Sequence, residues 1–306
     1  MAVPSSGALD FTDLQDEFGG SNPISISEYY RDGGLVPSNN TGVPTSGAVA
    51  LSDFYGAVNE IGVTASAASS ANLQTLFDAV TAGTWTSGVP KVYTINSGTT
   101  MGILTAPASM GGTLVLNNSG NIQGVGGTAN GGAGATAMTV QSTGITINML
   151  SGSTLSGGGG GGGQGGTGGG GKYVSSNPCS GSNPGGCTLV AWGGCDGGDS
   201  NVYACYSNTN GGAGGAGGRG AGYGQALANG SGGAGGGTSA GTGGTGGNGA
   251  SFGAAGASGA AGSNGNRTNG SSGSGGGAAG RAVTFSGVSA YTIIGTNSGT
   301  IHGAYT

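Results

Sequence analysis

A glycine-rich stretch constrains this chain more than any other feature. Between Asn208 and Arg281, 74 residues contain only three large apolar side chains, Tyr223, Leu227 and Phe252. Just upstream, residues 157–171 are glycine at 13 of 15 positions. Such segments bury almost no side-chain surface, and glycine loses more backbone entropy on folding than any other residue. Two structures therefore compete: a disordered linker, or polyglycine helices of PPII-like geometry that pack backbone on backbone.

The four cysteines are clustered, which favours cross-linking. Cys179, Cys187, Cys195 and Cys205 lie within 27 residues, without the C-x2-C spacing of zinc sites and without a nearby histidine. Two disulfides are expected, and free buried thiols are the alternative. Disulfides imply a working life outside a reducing cytoplasm. The N-terminus lacks the basic and apolar regions of a secretory signal, and a virion component released by lysis would oxidise without one.

Composition excludes several classes of function. Charged residues make up 6% of the chain, the net charge is -5, and lysine and arginine form no cluster, so nucleic acid is not an expected partner. No apolar run approaches the roughly 20 residues that a membrane span needs. The charges are placed unevenly, because residues 1–60 hold eight of the eleven acids whereas Arg219, Arg267 and Arg281 lie beyond the last one.

A degenerate repeat marks residues 1–64 as a separate module. Val3–Leu9 with Thr12-Asp13-Leu14 matches Val43–Val49 with Ser52-Asp53-Phe54, and a shorter copy lies at Ile24–Tyr30. Ser or Thr followed by an acid is a helix start, so each copy predicts a helix of one or two turns. The module is expected to dock on a partner protein; the alternative is a cap that packs on its own chain.

The next region, residues 65–156, reads as a β-rich domain with one helix. Leu73, Leu76, Phe77 and Val80 have helical spacing, and Gly83 ends that pattern. Short β-branched runs then alternate with turns at Asn96-Ser97-Gly98, Asn118-Ser119-Gly120 and Leu150-Ser151-Gly152. A fourth copy, Asn297-Ser298-Gly299, follows the glycine-rich residues 157–282. Those residues are therefore expected to be an ordered insertion, after which residues 283–306 return to the β domain.

Little in the chain supports catalysis. The single histidine, His302, occupies a repeat position where another copy has Gln123, which favours a structural role. Asp196 and Asp199 supply too few ligands for a calcium site and fit a turn better. No enzyme activity, metal or cofactor is expected.

The side chains that interrupt the glycine are better candidates for binding. Aromatic residues and arginine concentrate binding energy at interfaces, and gap filling against glycine backbone is the alternative. The receptor-binding candidates are Trp192, Tyr203, Tyr206, Arg219, Tyr223, Phe252 and Arg267.

The opening segment SGALDFTDLQDEFGGSNPISISEYY resembles the N-terminal segment of many tailed-phage virion proteins. The path from ANLQTLF through TLVLNNSGNIQG into glycine runs is similar to phage tail-fibre and tip proteins, including the adhesins of T-even-type long tail fibres. That family displays variable loops on a polyglycine-helix sandwich. Its N-terminal repeats and cysteines set this chain apart, so the mode of fibre attachment does not carry over.

The resemblance implies a mainly β fold with a polyglycine II (PPII-like) helix bundle and short N-terminal helices. It also implies a virion tail-fibre or tail-tip protein. The acidic N-terminal repeats, and not the resemblance, lead us to expect that the N-terminal region binds other tail proteins. Its host partner would be a surface glycan or an outer-membrane protein. The homotrimer common among phage fibres is left open, since no heptads are present. A purely structural virion protein is the alternative, and a secreted ice-binding protein is a third hypothesis, disfavoured by the N-terminal repeats.

Overall fold

The computed structural model describes residues 3–177, 179–180, 187–192, 201–289 and 294–305. The chain is mainly β, as predicted, with short helices near its N-terminus. It divides into two compact units. The first, here called the β unit, comprises Met1–Gln123, Thr136–Ser156 and Ala282–Thr306. The second, the glycine unit, comprises Gly124–Ala135 and Gly157–Arg281, so it includes twelve residues that the sequence analysis assigned to the β-rich domain.

The N-terminal repeat builds a small core of its own. Helix α1 (Phe11–Phe18) begins after Asp10, whose side chain accepts hydrogen bonds from the backbone N–H groups of Thr12 and Asp13. Single 3-10 turns follow at Ile26–Tyr29 and Leu51–Phe54. Leu14 and Phe54, which are equivalent positions of the repeat, are both fully buried in this core. The repeat therefore supplies matching core residues as well as helix starts.

Helix α2 (Leu73–Asp78) is shorter than the pattern predicts. The Asn72 side chain caps it by accepting the Thr75 N–H at 3.3 Å. Leu73 and Phe77 are buried, as the amphipathic spacing predicts, whereas Val80 lies beyond the helix and is 41% exposed. Beyond Asp78 the chain continues in turns, in which the Val80 N–H donates to the Phe77 carbonyl at 3.1 Å and the Trp85 N–H donates to the Asp78 carboxylate at 2.8 Å.

The rest of the β unit is a stack of coils. Its strands are β1 (Ile61–Thr64), β2 (Ala68–Asn72), β3 (Lys91–Ile95), β4 (Thr100–Ala106), β5 (Leu114–Asn118), β6 (Asn121–Gln123), β7 (Met138–Val140), β8 (Ile145–Met149), β9 (Thr154–Ser156), β14 (Val283–Phe285), β15 (Ile294–Asn297) and β16 (Thr300–His302). One sheet has the order β1-β3-β5-β8-β15. The other has the order β14-β7-β4-β6-β9-β16, with β2 also paired to β4. Each described pairing in both sheets is parallel.

The repeated Ser-Gly turns lie at the same corner of four coils. They connect β3 to β4, β5 to β6, β8 to β9 and β15 to β16. Gly98 and Gly152 both have a φ of 81° there, a conformation that other residues rarely adopt. His302 pairs with Ser156, which in turn pairs with Gln123, and the side chain of His302 is exposed. The repeat in the sequence is thus a repeat of coils.

Two insertions leave this stack from neighbouring coils. Residues 124–135 lie between β6 and β7, and residues 157–281 lie between β9 and β14. Strand β6 pairs with β9, and β7 pairs with β14. Both insertions therefore begin and end on adjacent strands of one sheet, and together they form the glycine unit.

Backbone hydrogen bonds in the glycine unit recur at every third residue of residues 157–170, here called the central segment. Gly159, Gly162, Gly165 and Gly168 donate to the carbonyls of Ala221, Gly218, Gly215 and Gly212 at 2.8–2.9 Å. The next residue in each triplet donates to segment 254–263 at 2.8–2.9 Å. Gly158 and Gly161 donate in a third direction, to Ala135 and Gly132. The central segment also accepts bonds from segments 241–250 and 271–280, so it is bonded to five others.

This enclosure explains the glycine content of the central segment. A Cβ atom at Gly160 would lie 2.0 Å from the carbonyl oxygen of Gly277, and one at Gly162 would lie 1.9 Å from that of Gly247. Side chains occur only where a neighbour ends. Gln164 and Thr167 continue the row of Gly158 and Gly161 past the end of segment 124–135, and both are exposed.

Candidate receptor-binding surface

The candidate residues lie at two ends of the glycine unit, because the segments that carry them run in different directions. Segment 212–221 runs antiparallel to the central segment, so Gly171 and Thr209 leave the same end and pair with each other. Segment 254–263 runs parallel to the central segment, which places Arg267 at that end as well. We call this the loop end; it comprises residues 171–209, 237–240 and 265–268. The opposite, turn end carries residues 223–225 and 251–253.

Residues 171–209 are here called the excursion, and their described part forms an antiparallel sheet at the loop end. Its strands are β10 (Gly171–Ser176), β11 (Cys179–Ser180), β12 (Cys187–Trp192) and β13 (Asn201–Thr209), and the other three pair with β13. Cys187 and Cys205 lie opposite each other on β12 and β13 and form a disulfide, with Cα atoms 4.2 Å apart. One predicted disulfide is therefore confirmed. Cys195 lies outside the described residues, so a second disulfide stays a prediction.

An aromatic ring and a lysine are held together on this sheet. The Nζ atom of Lys172 lies 4.2 Å from the centroid of the Tyr206 ring, within the range of a cation–π interaction. Tyr206 is 38% exposed, and its cross-strand neighbour Val174 is 45% exposed. The excursion thus presents an apolar, aromatic and cationic patch to solvent. Of these residue types, tyrosine is one that contributes strongly to binding at protein surfaces.

A pair of hydrogen bonds between the Asn266 side chain and the Lys172 main chain fixes the excursion to the neighbouring loop. The Lys172 N–H donates to Oδ1 of Asn266, and Nδ2 of Asn266 donates to the Lys172 carbonyl, both at 2.7 Å. The Arg267 N–H donates to the Gly170 carbonyl at 3.1 Å. Lys172 and Arg267 therefore project from backbones that are bonded side by side. Sequence reasoning named Arg267 but missed Asn266, because an asparagine in a glycine-rich loop carries no signal of its bonding partner.

The described part of the glycine unit carries only positive formal charges. They belong to Lys172, Arg219, Arg267 and Arg281; Asp196 and Asp199 fall outside the described residues. Lys172 and Arg267 are both exposed at the loop end. Because no described carboxylate of this unit neutralises them, they favour the approach of anionic groups.

The other predicted candidates are distributed unevenly. Trp192 ends β12 at the loop end. Tyr203 is only 7% exposed, so it offers little surface to a receptor. Tyr223 and Phe252 lie half-buried at the turn end, and Arg219 is exposed nearby on segment 212–221. The seven candidates therefore do not form one surface: Trp192, Tyr203, Tyr206 and Arg267 are at the loop end.

Among the described residues, no group of three or more His, Cys, Asp and Glu side chains could hold a metal ion. Likewise, no helix within the described ranges is long and apolar enough to cross a membrane. What the loop end offers chemically is contact area, hydrogen-bonding groups and positive charge.

Comparisons with known proteins bear on this surface. Residues 59–191 match the family model described as phage tail fibre adhesin Gp38. Among solved structures, the chain is similar to one titled "Crystal structure of the gp37-gp38 adhesin tip complex of the bacteriophage S16 long tail fiber". That alignment has 18% identity and a TM-score of 0.38, and it covers 100% of each chain. The comparison with curated proteins gives no match.

Proposed function

We propose that this chain is a phage tail-fibre adhesin that attaches the virion to the surface of its host cell. The observation that carries the proposal is the match of residues 59–191 to the tail fibre adhesin family model. The match confirms the resemblance found in the sequence, and it supports both a host-attachment function and a place on the virion tail. It covers strands β1–β9 of the β unit, residues 124–135, the central segment and the first part of the excursion, and it ends before β14–β16.

The glycine unit is, in this proposal, a bundle of polyglycine II helices that serves as a rigid support. Hydrogen bonding from every third residue in three directions fits a helix of three residues per turn with PPII geometry. Such a bundle is held by main-chain hydrogen bonds, so its loops can vary without altering a side-chain core. The support would fix the excursion and the loop at Arg267 relative to each other.

The loop end is the part that meets the host. Tyr206, Lys172 and Arg267 are exposed there, and Asn266 joins the backbones that carry them. Aromatic and cationic groups suit a surface glycan with anionic substituents, or an outer-membrane protein loop. Tyr223 and Phe252, at the turn end, are expected to support the fold instead.

The N-terminal region binds other tail proteins. Residues 1–60 hold eight acids and one base, which distinguishes them from the positively charged glycine unit. A binding role of this kind needs no catalytic residues. We therefore propose a non-enzymatic adhesin.

Binding of the purified chain to host cells tests the proposal. Fluorescently labelled full-length protein should bind intact host cells, and an excess of unlabelled protein should slow phage adsorption. A purely structural fibre subunit would neither bind cells nor compete with phage. Cells of a phage-resistant host that lacks the receptor are the control.

A further inference from the structure

The first coil of the β unit is an exposed edge of both sheets. Strand β1 pairs with β3, and β2 pairs with β4, and neither has another partner strand among the described residues. In β1, the N–H of Ile61 donates toward the next coil, and so does that of Ala65 just beyond the strand. Alternation along the strand therefore directs the N–H groups of Gly62 and Thr64 outward. Both residues are exposed.

This edge, although short, lacks three of the features that normally prevent strand pairing. Edge strands are usually protected by charged side chains, prolines or bulges. Residues 61–77 contain no charged residue and no proline. The β1–β3 register runs without a shift from Ile61 to Thr64. Within β1 itself, neither a charged side chain, nor a proline, nor a register shift opposes pairing with a partner backbone.

A cavity lies beneath the same coil and carries an unpaired polar group. Its volume is about 260 Å³, compared with the roughly 150 Å³ that accommodates benzene in an engineered apolar site. Its apolar lining consists of Ala65, Ala68, Ala71, Leu76, Met101 and the ring of Tyr93. Tyr93 is fully buried, and its hydroxyl has no hydrogen-bond partner among the described residues. A buried hydroxyl is normally paired, so its partner is expected to come from outside these residues.

We propose that this first coil receives one extended strand of the tail-fibre protein that carries the adhesin. The inference rests on the proposed function and identifies where the chain docks. The incoming strand pairs with the outward N–H and C=O groups of β1. One of its apolar side chains fills the cavity. An oxygen atom of the strand accepts a hydrogen bond from the Tyr93 hydroxyl.

Charge favours a different protein over a second copy of this chain. A second copy would bring its own residues 1–60, with eight acids and one base, next to the same acids of the first. Like charges on both sides would oppose that pairing. A fibre strand of neutral or basic composition meets no such repulsion.

Substitutions on the edge test the proposal in the full-length chain. Thr64→Pro removes the outward N–H and leaves the inward hydrogen bonds to β3 in place, while Thr64→Val retains the N–H and is the matched control. Tyr93→Phe removes only the unpaired hydroxyl. The probe is the purified tail-fibre protein of the same phage, and the measurement is its dissociation constant for each variant.

Thr64→Pro should weaken fibre binding at least about 10-fold while Thr64→Val binds like wild type, because edge pairing depends on main-chain hydrogen bonds. Tyr93→Phe should weaken binding about 3- to 10-fold, as expected for one lost hydrogen bond, without lowering the melting temperature. Wild-type binding by folded Thr64→Pro and Tyr93→Phe would overturn this inference and leave the proposed function standing.

Two further outcomes would also overturn it. If the wild-type chain binds host cells but not the fibre protein, both this docking site and fibre attachment are wrong, whereas host attachment stands. If Thr64→Pro instead abolishes a dimer of the chain in solution, the edge pairs with a second copy. Circular dichroism and native-state proteolysis establish that each variant is folded before its binding is compared.

Discussion

The ammonium group of Lys172 lies 4.2 Å from the centroid of the Tyr206 ring, on two strands that also share main-chain hydrogen bonds. At an exposed site such a contact contributes about 0.5–1 kcal/mol. A double-mutant cycle with Lys172→Met and Tyr206→Leu should give a coupling energy of that size in the local stability of the excursion. Lys172→Met is used because it keeps the apolar stem and removes the charge. Proteolysis under native conditions measures the local stability, and additive effects would show that the two groups do not interact.

Glycine substitutions distinguish a packed bundle from a flexible linker. Gly160→Ala would place a Cβ atom 2.0 Å from the Gly277 carbonyl oxygen, so it should destabilise the unit by more than about 3 kcal/mol or prevent its folding. Gly235→Ala is the matched control, because nothing lies within 4 Å of its Cβ position. It should be neutral or stabilise by about 0.4–1 kcal/mol. Thermal unfolding compares the two, and equal effects would contradict direct backbone packing.

The architecture of the β unit could be read largely from its turns. Four Ser-Gly corners recur in the sequence, and the last lies beyond the glycine-rich stretch, which predicts that the chain returns to the β region. The sequence analysis did not assign residues 124–135 to the glycine unit, because a glycine-rich segment of twelve residues resembles an ordinary loop. The partners of the glycine segments could not be predicted either. Because glycine has no side chain beyond a hydrogen atom, a run of glycines shows no periodic pattern. Only Gln164 and Thr167 mark an open side of the central segment.

The residue types of the candidate site could be predicted from the sequence, but their grouping in space could not. Aromatic and arginine residues within glycine are visible in the sequence, yet their grouping depends on the direction in which each segment runs. Tyr206 and Tyr223 lie 17 positions apart in sequence and emerge at opposite ends of the unit. Asn266 has a hydrogen-bonded partner 94 residues away, which no local pattern indicates.

The disulfide at Cys187 should matter for the excursion more than for the bundle. It joins residues 18 positions apart, and a cross-link over a loop of this length stabilises by about 3 kcal/mol. Cys187→Ser with Cys205→Ser should therefore make the excursion sensitive to protease while the glycine segments stay protected. Peptide mapping of the oxidised protein should also find Cys179 bonded to Cys195. Free thiols at those two positions in assembled particles would contradict the second disulfide.

Alkaline unfolding should report the environment of Tyr93. Burial raises the pKa of Tyr93 from 10.0 to about 12. The folded state therefore holds a proton that the unfolded state releases, so stability falls as the pH rises from 10 to 12. The wild-type protein should lose about 2–3 kcal/mol more than Tyr93→Phe across this interval in urea titrations.

Lys91 has the opposite effect on the pH dependence of stability, but it does not affect the comparison of the wild type with Tyr93→Phe. Burial lowers the pKa of Lys91, against a smaller opposing effect of Asp78. Its unfolded state binds more protons, so stability rises with pH between the lowered pKa and the ordinary one. Both proteins contain Lys91, and its contribution cancels. An equal pH dependence of the wild type and Tyr93→Phe would contradict the burial of the phenol.

The most direct test of host attachment through the loop end is competition for phage adsorption by two matched full-length variants. One carries Lys172→Ala, Tyr206→Ala and Arg267→Ala at the loop end, and the other carries Arg219→Ala, Tyr223→Ala and Phe252→Ala toward the turn end. Provided both variants are folded, the first should need at least about 30-fold more protein than wild type to halve the adsorption rate, as expected when a binding hot spot is lost. The second, once shown to be folded, should compete within about threefold of wild type, because it leaves every group of the loop end in place. Undiminished competition by the loop-end variant, or loss of competition by the turn-end variant alone, would contradict the account.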